Sequence, residues 1–71
     1  MDLCRRFGMN VKVARAAAGH TQEELADMAG VARSYMSDVE RGVRNPTLMV
    51  VERIAQALDI DPAELLEAVK E

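Results

Sequence analysis

After Gly30 the chain reads VARSYMSDVERG, and at helical spacing Arg33, Ser34, Ser37, Asp38 and Arg41 share one face while Tyr35, Met36 and Val39 share the other. A guanidinium presents a fork of donors that matches the two acceptors of a guanine edge, and a serine hydroxyl donates or accepts. A helix with Arg33 at its head therefore has the chemistry to hydrogen-bond to bases in a major groove. Taken in isolation, the same polar residues are also what an ordinary solvated helix face looks like. No catalytic alternative competes. The chain has one His and one Cys, His20 and Cys4, which give neither an internal disulfide nor a metal-ligand set. It has no nucleophile with a positioned base and no glycine-rich phosphate loop. No enzymatic activity, metal or cofactor is expected.

Such a face needs elements to aim it. Apolar residues recur at helical spacing throughout and strand-like alternation is absent, which predicts an all-α chain of five short helices. Phe7, Val11 and Ala14 lie on a first helix that stops at Gly19. Thr21 and Glu24 in TQEE form a capping-box pattern that opens a second helix, with Leu25, Met28 and Ala29 expected in the core and Gly30 as its end. A third helix runs from about Ala32 to Arg41 and stops at Gly42. Pro46 and Thr47 start a fourth, with Leu48, Val51, Ile54, Ala55 and Leu58 as one apolar stripe. Asp61 as cap, Pro62 at the first helical position and Glu64 at the third open a fifth, with Leu65, Leu66 and Val69 to bury. Small Ala26, tight Gly30, and Met36 and Val39 at the following helix's core side match a helix-turn-helix spanning about 22–41.

The 71 residues fit a single domain, 1–71, whose small core is compact or completed by a partner. Apolar runs are broken by charge well before a spanning length, and the first residues lack a secretory pattern, so no membrane association and a cytoplasmic location are expected. The net charge of −3 argues superficially against a nucleic-acid partner, but the charge is polarised. Arg5, Arg6, Lys12 and Arg15 stand against Asp2 alone in residues 1–20, whereas Arg53 and Lys70 face six carboxylates in residues 48–71. One face is expected to be basic and another acidic.

From Phe7 to about Leu66 the chain resembles the lambda-repressor-like, xenobiotic-response-element family of bacterial and phage regulators, through TQEELADMAGV, ARSYMSDVERG, RNPTL and IAQALDIDPAELL in that order. Within it, RSY at the head of the third helix followed by ERGVRNPTL is similar to controller proteins of restriction-modification systems. The resemblance implies a transcriptional regulator on double-stranded DNA; the short chain and its apolar last helix add the expectation of a homodimer, with RNA polymerase as a further candidate partner. It implies base reading by Arg33, Ser34, Ser37 and Asp38, the last as acceptor from a cytosine amino group. It also implies that Gln22, Tyr35, Arg41, Arg44 and Asn45 contact phosphates, and that Arg15 pairs with Glu40 internally. An antitoxin-like or other protein-interaction module on the same fold is the competing reading.

Several residues keep two readings. Tyr35 can fill the core with its hydroxyl at the rim, grip a phosphate, or both. Arg44 and Asn45 suit a turn before Pro46 as well as a backbone contact. Lys12 is expected near phosphate by charge. His20 stands where the family usually has an apolar residue. Ile60, Pro62, Leu65, Leu66 and Val69 either bury a dimer surface or close the monomer core.

Overall fold

A computed structural model describes residues 2–68. Four α-helices, α1 (Leu3–Ala17), α2 (Gln22–Ala29), α3 (Arg33–Arg41) and α4 (Leu48–Ala57), are followed by a short 3-10 helix, Pro62–Leu66. The described residues contain no strand.

Local chemistry fixes the boundaries. Asp2 accepts from the Arg5 N–H at the head of α1. Thr21 Oγ1 accepts from the Glu24 N–H while the Glu24 carboxylate accepts from the Thr21 N–H, so the capping box is closed in both directions. Gly30 ends α2 at φ 73°, a left-handed conformation that costs most residues a steric penalty, and Val31 N–H then bonds back to the Ala26 carbonyl. That turn delivers the chain into α3 within three residues. Thr47 caps α4 through the Val50 N–H.

The expected fifth helix is a single 3-10 segment of five residues. Its Asp61 and Glu64 capping box forms, but the backbone is already extended at Glu67 (ψ 156°). The carbonyls of Leu65 and Glu67 accept from Asn10 Nδ2 on α1, at 2.9 and 2.8 Å, so tertiary hydrogen bonds hold this end of the segment.

The core is drawn from every element: Phe7 and Val11, Leu25 with Ala26 and Ala29, Met36 and Val39, Val51, Ile54, Ala55 and Leu58, and Leu65. Three expected members, Met28, Leu48 and Leu66, are outside it, Leu66 on the partly exposed side of the 3-10 segment. Met28 is 47% exposed because the buried arc of α2 is centred on Ala29 and Ala26, leaving Met28 on its flank. Leu48 is 82% exposed, since α4 joins the core only from Val51 onward.

α1 lies hard against α3 at Gly8. A Cβ there would collide with the Val39 carbonyl oxygen and sit 2.9 Å from that of Glu40. The missing side chain thus sets how closely the two helices approach.

Candidate nucleic-acid interface

The third helix begins without a side-chain cap, since Ala32 occupies the capping position and offers no acceptor. Its first-turn N–H groups are therefore open at the end where Arg33 and Ser34 are exposed. On the opposite side Met36 and Val39 are fully buried, which locks the rotation of α3 and turns Arg33 and Ser34 outward. Ser37 and Asp38 are half-buried one turn further on.

Asp38 bridges two elements. Its Oδ1 accepts from Arg41 Nη2 at 2.9 Å and its Oδ2 from Arg44 Nη2 at 3.3 Å. The Arg44 guanidinium also lies over the Tyr35 ring, 4.8 Å from its centroid, within the range of a cation–π contact. Tyr35 is half-buried against the core, so the ring serves as packing and as a platform for the loop arginine. The structure brings Tyr35, Asp38, Arg41 and Arg44 together as one cluster. Asn45 is exposed beside it, its Oδ1 3.9 Å from the Cys4 thiol donor. Lys12 is exposed on α1.

Behind the face lies a second network. Arg15 Nε and Nη2 donate to the two oxygens of Glu40 at 2.7 and 3.1 Å, Arg15 Nη1 donates to the His20 carbonyl, and Gln22 Nε2 donates to Glu40 Oε1 at 3.0 Å. Glu40 is the one buried charged residue among the described residues, and its partners satisfy it. The hydrogen bond to Glu40 holds the Arg15 pKa above the ordinary arginine value, with the Glu40 charge adding to it against the cost of burial. Gln22 is thereby tied inward through one of its two amide N–H groups.

The expected self-association residues separate. Leu65 is 1% exposed and closes the monomer core, so it has no surface left for a partner, which corrects its placement at an interface. Ile60 packs partly against the core, Pro62 is exposed and Leu66 is 37% exposed. Val69 lies outside the described residues. Among the described residues no group of His, Cys, Asp or Glu is placed to hold a metal, and no helix is long and apolar enough to cross a membrane.

Three features escaped the sequence reading. Gly8, a glycine inside an amphipathic helix, was the visible signal for a close approach. The i, i+3 spacing of Asp38 and Arg41 announced their pairing, but only the folded loop brings Arg44 to the same carboxylate. The Gln22–Glu40 bond had no local signal.

Comparison with known proteins agrees with this geometry. The family profile described as helix-turn-helix matches residues 11–65. The chain is 39% identical to an uncharacterised HTH-type transcriptional regulator, y4dJ, of Sinorhizobium fredii, over 93% of this chain and 86% of that protein. It is 40% identical to the control protein C.BamHI of Bacillus amyloliquefaciens, over 86% of this chain and 76% of that one. Among solved structures, the restriction-modification controller protein C.AhdI from Aeromonas hydrophila superposes with a TM-score of 0.85 at 45% identity, covering 87% of this chain and 94% of that one.

Proposed function

Since the chain belongs to the helix-turn-helix family of DNA-binding transcriptional regulators, which are not enzymes, we propose that it reads a two-fold-related operator in double-stranded DNA as a homodimer in the cytoplasm. The observation that carries this reading is the exposed Arg33–Ser34 pair at the uncapped head of α3, held outward by buried Met36 and Val39. Arg33 pairs with a guanine edge, and Ser34 and Ser37 donate or accept beside it. Gln22, Tyr35, Arg41, Arg44, Asn45 and Lys12 set the register on phosphates. Ile60, Pro62 and Leu66 form the self-association edge.

The likeness to C.BamHI and C.AhdI supports a narrower reading, control of a restriction-modification operon. Bound at such an operator, the dimer acts on RNA polymerase at the adjacent promoter. Selection of a random duplex library on the purified protein at moderate salt tests the central proposal. The expected product is an inverted repeat with half-sites about one helical turn, roughly 34 Å, apart. Absence of enrichment by folded protein contradicts it and favours a protein-interaction module.

A further inference from the structure

The cluster on the exposed side of α3 contains one anion between two cations. Arg41 and Arg44 come from different elements, the last turn of α3 and the loop after it, and both point a guanidinium nitrogen at the same carboxylate. Two neighbouring guanidinium groups repel unless an anion lies between them, and Asp38 supplies it with both oxygens. A phosphodiester offers a guanidinium the same thing, two charged oxygens in fork geometry.

We propose that Asp38 is an internal competitor for phosphate: in the free protein it occupies Arg41 and Arg44, and DNA must displace it from them. This rests on the DNA-binding reading given above. Every complex then carries the cost of exchanging carboxylate for phosphate and of leaving Asp38 beside a polyanion. Non-specific affinity, which comes almost wholly from phosphate contacts, bears that cost with no base contacts to offset it. Asp38 thus limits the time spent on arbitrary sequence. Its own oxygens face arginines, which assigns it a role in setting affinity in place of reading a cytosine. The half-buried carboxylate, the exposed arginines and the Tyr35 ring under Arg44 are the parts of the device.

The test is a binding cycle on Asp38→Asn, with Asp38→Ser as a second charge-removing variant, and Arg41→Gln/Arg44→Gln alone and combined with each. Affinity is measured on the selected duplex and on an unrelated duplex of equal length over a range of salt. Both charge-removing variants are expected to bind the unrelated duplex about fivefold or more tightly at low salt with an unchanged log–log salt slope, because Arg41 and Arg44 meet the same phosphates in both complexes. The gain should disappear when both arginines are Gln, because the effect passes through them. Unchanged affinity overturns the proposal, and so does a steeper slope, which would mean that Asp38 keeps the arginines off phosphate in the wild-type complex. So does an equal gain in the Gln background, which is mere loss of a negative charge, or a loss of discrimination at one base pair, which is base reading. Failure of the DNA-binding reading itself shows separately, as a wild-type protein that prefers no duplex, and it removes this proposal as well.

Discussion

Arg15 and Glu40 meet across α1 and α3 as a two-pronged ion pair, with the Glu40 side chain only 3% exposed. Through the same carboxylate Gln22 ties in α2, and through Arg15 the His20 carbonyl ties in the loop between α1 and α2. One buried charge thus orients α3 against the two helices before it. A pair of this kind need not add net stability, but a half of it left alone is costly.

Glu40→Ala is accordingly expected to destabilise the domain by up to about 3 kcal/mol, because Arg15, half-buried, loses its counter-charge but keeps the His20 carbonyl and some access to water. Against a total of roughly 5 kcal/mol for a small domain, that leaves the fold marginal. Chemical denaturation at neutral pH measures it. A loss below about 1 kcal/mol would mean that the pair tolerates separation as an exposed one does.

Gly8→Ala should reverse the usual sign. Alanine in a helix interior ordinarily gains about 1 kcal/mol over glycine. At this position the new methyl meets the Val39 and Glu40 carbonyls of α3, and overpacking of that kind costs about 1–3 kcal/mol. A lowered melting temperature is expected, and a raised one would show that α1 and α3 can move apart freely.

The capping box gives a pH signature. The Thr21 N–H donating to Glu24 holds that carboxyl below the ordinary carboxylate range, with the nearby His20 a smaller contributor. Because the folded value is the lower one, the contribution is fully present above the unfolded carboxylate pKa of about 4.3 and is lost as pH falls through the folded value. The stability difference between wild type and Glu24→Ala should be largest at neutral pH and shrink in acid. A difference independent of pH would assign the effect to helix propensity instead.

Self-association is expected to depend on Leu66. Sedimentation at micromolar concentration should give the mass of two chains for the wild type and of one chain for Leu66→Glu, with little change in melting temperature because the residue is 37% exposed. A monomeric wild type contradicts the homodimer.

The bounds of α2 and the exposed α3 face were legible in the sequence because each depends on local chemistry: Thr21 with Glu24, Gly30 and the two-sided character of residues 33–41; the fifth helix was overextended because a cap pattern marks a start but not a length. Periodicity misplaced Met28 and Leu48, since it records that a residue is apolar but not how far a neighbouring helix reaches to cover it. Leu65 and Leu66 are adjacent and chemically identical, yet one closes the core and the other is partly exposed, a distinction set by how the 3-10 segment packs on α1 and α4. The Asp38 cluster was illegible because Arg44 reaches it only once the loop after Gly42 has folded back.

The most direct test compares wild type and Arg33→Ala on the selected duplex and on an unrelated one. The account predicts a loss of about 1–3 kcal/mol, roughly fivefold to over a hundredfold, on the selected duplex. It predicts little change on the unrelated duplex and an unaltered melting temperature. Equal affinity of the two proteins for the selected duplex, or an equal loss on both duplexes, would contradict base reading by Arg33.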